Sequence, residues 1–281
     1  MKNIKTEKKD LYLVPFDFTR ATEDALKYAL NLTRIGGGDI IIAHVANTHD
    51  EAYDAEVKLV DKIKKLHDRD HTHVSYEVII GDLFTDLDKI ARLTHSTCIV
   101  MGTHGVSGFQ KIFGSHAQKM VDHSSSPFIL IQEGLDKDHI ETIVMPFSFD
   151  RESIQVTKLA TAIAEKYKAT MHLVGFRHSD EWLLRDMKTN ETIVKSHLEE
   201  HHIKHVTHVL PGVRSYEEEL IEYANEVNAD LIAASYFVKG FLSYYHSFLD
   251  TMMMNKYKIP VLTINAPEVM TLNSQFSFIT T

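Results

Sequence analysis

Short apolar runs alternate with longer amphipathic stretches along most of this chain. Residues 11–16 (LYLVPF), 40–45 (IIIAHV) and 98–101 (CIVM) are apolar at nearly every position. Runs this short, hydrophobic on both faces, predict strands buried in a parallel sheet. Between the first two, Ala25, Leu26, Ala29, Leu30 and Leu32 recur at helical spacing, and Gly36-Gly37-Gly38 ends that helix. Residues 51–67 predict a charged amphipathic helix, residues 74–80 a strand ending at Gly81, residues 83–94 a helix, and residues 127–132 another strand. Strands that alternate with helices predict right-handed crossovers and a parallel sheet.

The pattern then restarts. Val14-Pro15-Phe16-Asp17-Phe18 is echoed 131 residues later by Met145-Pro146-Phe147-Ser148-Phe149, and Gly81 by Gly212 at the same offset. Gly108-Phe109 is echoed by Gly240-Phe241, and Pro127 by Pro260, with small shifts. The expected fold class is therefore α/β, as two tandem five-stranded parallel-sheet units with helices on both faces. The expected domains are residues 1–136 and 137–281, joined by a polar linker around residues 133–139. The tail after Pro267 has no clear pattern. The last strand of each unit, residues 128–131 and 261–264, is apolar on both faces. Such strands left at open edges would invite aggregation, so antiparallel pairing of the two about a pseudo-twofold axis is expected.

The densest candidate chemistry is at residues 101–115, MGTHGVSGFQKIFGS, between the 98–101 strand and an amphipathic helix carrying Ala117, Met120 and Val121. Glycines at 102, 105, 108 and 114 let backbone N–H groups turn toward an oxyanion. A helix start adds free N–H donors and the positive end of a dipole, and Ser115 stands where an N-cap would. The spacing alone leaves two readings open, a phosphate cradle and a tight turn. It is neither a Walker A loop nor the dinucleotide fingerprint. Asp17 likewise has two readings, a ligand to a ribose hydroxyl or amine and a cap for the helix that follows.

These features together resemble the universal stress protein (UspA) family, in a tandem two-domain form, over nearly the whole chain. The resemblance rests on VPFDFT, on Gly81-Asp82, and on GTHG followed by GS, a helix and a proline-led last strand. It implies an adenine nucleotide alpha hydrolase-like, Rossmann-like fold. It also implies a cytoplasmic stress-response protein that binds ATP, with dimerisation through the last strand. The family signature is Gly-x2-Gly-x9-Gly-Ser/Thr. Gly102 and Gly105 match its first pair and Gly114-Ser115 its last, with one residue fewer between Gly105 and Gly114. By the same resemblance Pro15, Phe16 and Asp17 sit at the adenosine and Val45 lines the base pocket. Met101 and His116, beside the glycines, complete the implied nucleotide-binding set. In the second copy Ser148 replaces Asp17, and Ala234, Phe237 and His246 align with Gly102, Gly105 and Gly114. That half is expected to bind no nucleotide in this mode and to serve as support or partner surface.

Composition narrows the remaining options. A net charge of −9 argues against a general nucleic-acid binder. No apolar run is long enough to span a membrane, and the N-terminus lacks a signal peptide's apolar core. The single cysteine, Cys98, reads as a core residue. The chain has eighteen histidines, eight of them clustered at His67, His71 and His73 and at His197, His201, His202, His205 and His208. They are read as a solvated polar face, with a zinc or nickel site as the competing reading and no metal assigned. His104 has no placed nucleophile or carboxylate partner. The expected role is a nucleotide-dependent regulator, more a binder than an enzyme, with no catalytic residue assigned and an unidentified protein partner. The halves would form an intramolecular pseudo-dimer, a homodimer being the family's other mode. A slow ATPase or phosphotransferase and a non-binding interaction module are the alternatives.

Overall fold

The structure is a computed structural model, and it describes residues 9–67, 72–103, 119–135, 137–237, 244–271 and 275–278. The first half contributes β1 (Leu11–Pro15), α1 (Arg20–Gly36), β2 (Asp39–Ala46), α2 (His49–His67), β3 (Val74–Ile80), α3 (Leu83–Leu93), β4 (Cys98–Thr103) and β5 (Phe128–Gln132). The second contributes β6 (Thr142–Pro146), a 3-10 turn (Arg151–Ile154), α4 (Thr157–Tyr167), β7 (Thr170–Phe176), α5 (Glu181–Glu200) and β8 (His205–Leu210). It continues with α6 (Tyr216–Glu226), β9 (Leu231–Tyr236), α7 (Tyr244–Met253), β10 (Val261–Asn265) and α8 (Ala266–Thr271).

All ten strands join one sheet in the order β3-β2-β1-β4-β5-β10-β9-β6-β7-β8. Each half is parallel within itself, and the halves meet at β5 and β10, which pair antiparallel with Leu130 opposite Val261. This is the edge-to-edge pairing expected from the two apolar terminal strands. It hides both edges at the centre of the molecule, where every residue of β5 and β10 is buried. The outer strands β3 and β8 carry the mixed burial of sheet edges. One core lies on the face of α1, α2, α4 and α5, with Leu26, Leu59, Leu159 and Val194. The other lies under α3, α6 and α7, with Leu87, Leu220 and Leu249.

Polar contacts also cross between the halves. Tyr167 donates its hydroxyl to the Leu32 carbonyl at 2.7 Å, and Lys166 pairs with Asp10. Gln132 Nε2 donates to the Asn255 carbonyl at 2.8 Å, and Asn265 Nδ2 to those of Val121 and Asp122. The polar connection is held down by buried Asp230, which accepts from Lys137 and from the Glu141 and Thr142 N–H groups. The patternless tail also finds a place: Phe276 and Phe278 pack against the first core, and Phe278 N–H donates to Gln155 at 2.9 Å.

Candidate functional site

Strand β1 continues to β2 on one side and lies beside β4 on the other. That reversal of strand order is a topological switch point, and open parallel sheets bind ligands beyond the strands' carboxyl ends at such a point. Pro15 ends β1, Phe16 is buried behind it, and Asp17 is exposed just beyond. One carboxylate oxygen of Asp17 is committed. Oδ1 accepts from the Thr19 N–H at 3.0 Å and the Thr19 hydroxyl at 2.6 Å, with the Thr22 hydroxyl at 2.9 Å. Asp17 thus ties down the first turn of α1, although Thr19, not Asp17, occupies the N-cap position. Both readings of this residue are compatible with the geometry: Oδ1 anchors the helix, while Oδ2 has no partner among the described residues.

The next residue, Phe18, adopts a left-handed φ of 65°. Its ring packs edge-on against Phe16 at 5.2 Å and against His44 at 5.4 Å. His44 bonds through Nδ1 to the Phe16 carbonyl at 2.7 Å. A carbonyl only accepts, so Nδ1 carries the proton. The ammonium groups of Lys58 and Lys62 lie over the Phe18 and Phe16 rings. Sequence reasoning missed His44, Phe18 and Lys58; the only signal was the placement of His44 beside Val45. Val45 itself is half-buried near the end of β2.

Met101 and Gly102 lie in the last turns of β4 and are buried. A Cβ on Gly102 would sit 2.1 Å from the Ala21 carbonyl oxygen. Glycine is therefore required here by the close approach of α1's first turn, whatever the site binds. That approach brings the start of α1 against the carboxyl end of β4. His104, Gly105, Gly108, Gly114, Ser115 and His116 lie outside the described residues. The Gly81-Asp82 pair serves the fold: Asp82 Oδ1 accepts from the Thr85 N–H at 3.0 Å at the start of α3.

The second half changes one expectation. Strand register pairs Leu13 with Ile99 in the first half and Val144 with Ile232 in the second. Since Leu13 and Val144 are equivalent in the repeat, Ile99 matches Ile232, so Ser235 and not Ala234 takes the place of Gly102. The chain gains two residues between the equivalent strands, a shift that glycine matching missed. Ser235 fills that place with a side chain whose hydroxyl accepts from the Val156 N–H at 2.9 Å. The helix that follows β6 begins with a 3-10 turn and becomes α-helical only at Thr157.

The same half also holds a cavity of about 260 Å³, which opens at the carboxyl ends of β6, β7 and β9. Pro146, Phe147, Ser148, Phe176, Ala234 and Ser235 line it. They are the structural equivalents of Pro15, Phe16, Asp17, Val45, Met101 and Gly102. The same location has therefore been rebuilt with aromatic walls. The signal was present in the repeat, since Phe176 stands 131 residues after Val45.

Among the described residues no group of three or more side chains could hold a metal ion. His197 and His201 stack at 4.5 Å, and Phe278 covers His197 at 4.8 Å. His172 bonds to the Tyr223 hydroxyl, and His208 stacks on the same ring. His67 ends α2, and His71 lies outside the described residues. Cys98 is buried, and desolvation raises its thiol pKa, which leaves it unreactive. Among the described residues no helix is long and apolar enough to cross a membrane.

Residues 12–132 match the model of the universal stress protein family. These residues belong to the universal stress protein family. The whole chain has the fold of its tandem members. It is similar to a universal stress protein from Archaeoglobus fulgidus DSM 4304, at 16% identity over 92% of this chain and 99% of that one, with a TM-score of 0.75. It is similar to a putative universal stress protein from Pseudomonas aeruginosa UCBPP-PA14, at 12% identity over 94% and 96%, with a TM-score of 0.66. The cytoplasmic domain of a prokaryotic cation chloride cotransporter is also similar, at 12% identity over 92% and 96%, with a TM-score of 0.57. At these identities the likeness is one of fold, and the function has to be argued from the universal stress protein domain's own residues. No curated protein matches the chain's sequence.

Proposed function

We propose that the first half, residues 1–136, binds an adenine nucleotide, ATP by family resemblance, across the carboxyl ends of β1, β2 and β4. In this reading the protein is a cytoplasmic, nucleotide-dependent stress-response regulator and not an enzyme. Residues 137–281 form the second domain. The observation that carries the reading is Asp17. Its Oδ1 is pinned by Thr19 and Thr22, while Oδ2 has no partner among the described residues and the residue is exposed just beyond β1, beside the switch point in strand order. A carboxylate held in this way is pre-organised to accept from a ribose hydroxyl. Pro15, Phe16 and Val45 supply the apolar side of the nucleoside site. Met101 and Gly102 lead into the glycine loop, where Gly105, Gly114, Ser115 and His116 take the phosphates. Loop closure on the nucleotide changes the surface offered to a protein partner.

The test is Asp17→Asn in the full chain. Asparagine keeps the Oδ1 acceptor and so keeps the α1 anchor, but turns Oδ2 into a donor. ATP affinity should fall by about tenfold, the scale of one hydrogen bond to a charged acceptor. Unchanged affinity would remove Asp17 from the site.

A further inference from the structure

We infer that the aromatic cavity of the second half is a binding site for a quaternary ammonium ligand. This goes beyond the nucleotide reading of the first half and does not depend on it. The cavity is walled by rings: Phe149 and Phe176 lie 6.4 Å apart, Phe176 and Tyr216 5.0 Å, and Tyr216 and Phe248 5.9 Å. Gly175 of β7 makes room for one more, since a Cβ there would come within 2.9 Å of the Phe147 ring.

The polar groups on the wall decide the ligand's charge. Ser153 is satisfied, donating to the Asp150 carbonyl at 2.6 Å and accepting from the Ser148 N–H at 3.0 Å. Ser235 accepts from Val156, and Ser148 from Asp150. Glu217, in the first turn of α6, lines the cavity at 9% exposure and has no hydrogen-bond or ion-pair partner among the described residues. Among the described residues no lysine or arginine lines the cavity. A phosphorylated ligand would therefore meet a carboxylate and no counter-charge. A cation is favoured twice, by Glu217 and by the negative faces of the rings.

The number of acceptors narrows the class. A primary ammonium carries three N–H donors that each need an acceptor, and Glu217 is the one carboxylate among the described residues of these largely aromatic walls. A quaternary ammonium has no N–H to satisfy, and its methyl groups pack on ring faces. The chain's net charge of −9 also raises the local concentration of cations.

The probe is choline, titrated into the full chain by calorimetry and ligand-observed NMR. Its comparison is the uncharged isostere in which a tert-butyl group replaces trimethylammonium. Choline should bind at least about tenfold more tightly than the isostere. Glu217→Gln should lower choline affinity by a similar factor while leaving the thermal unfolding profile near wild type. Equal binding of choline and its isostere, unchanged choline affinity in Glu217→Gln, or no choline binding to wild type would each overturn the inference. Should Glu217→Gln fail to fold, the isostere comparison on wild type decides. ATP competing with choline would also overturn it, by showing the cavity to be a second nucleotide site.

Discussion

The join between the halves can be tested by removing one side chain. Leu130 is 2% exposed in β5, opposite Val261 of β10, in the core that also holds Met101, Phe128 and Leu249. Leu130→Ala removes three carbons from a site enclosed by sheet backbone, which limits collapse around the cavity. The expected cost is about 3 kcal/mol, within the range for buried leucine truncations. Unfolding entropy is roughly 2.1 cal/mol/K per residue, or about 0.6 kcal/mol/K if all 281 residues unfold as one unit. The melting temperature should then fall by about 5 °C in a single calorimetric transition. Halves that unfold separately would give about a 10 °C fall in one transition and none in the other. Hydrogen exchange supplies the local view. If the sheet is cooperative across β5 and β10, amides of β9 and β6 lose protection along with those of β4. A stationary second transition, with β6 and β9 protection unchanged, would refute the shared sheet as a cooperative unit.

Gly102→Ala should destabilise the protein by about 1–3 kcal/mol in urea, because its Cβ must displace the Ala21 carbonyl; an unchanged midpoint would mean α1 yields freely. Acid should weaken the fold through His197, whose pKa burial and then the neighbouring His201 hold below the ordinary 6.5. The unfolded chain takes up protons there first, so stability falls as pH drops through 6.5 and levels off below the lowered folded value. His172, lowered by burial and His208, acts in the same sense, and His139, raised by hydrogen bonding to Asp138, in the opposite one. The readout is therefore the difference made by His197→Phe, which should flatten the decline of the urea midpoint over that window; an unaltered slope would contradict it.

Much of this architecture is written in burial periodicity. Buried strands such as residues 98–101 have no polar face to disguise them, and Gly36-Gly37-Gly38 marks a helix end through backbone freedom, with φ values of 72° and 128° at Gly37 and Gly38. The β5–β10 pairing was legible because two-sided apolar strands need cover on every side. What the sequence concealed was register and space. Two extra residues before β9 shift Ser235 onto Gly102's position, and only backbone pairing reveals it. The cavity was hidden because its walls come from β6, β7, α6, β9 and α7, whose aromatic residues look like ordinary core filling when read singly. Gly102 looked like a phosphate contact, whereas its contact with Ala21 already demands glycine.

The most direct test of the nucleotide reading is calorimetric titration of ATP into the full chain and into Gly114→Val. Wild type should bind close to one ATP per chain and Gly114→Val none, the added side chain filling the space proposed for the phosphates. A stoichiometry near two, or no heat and no thermal shift with ATP, ADP or AMP, would contradict it.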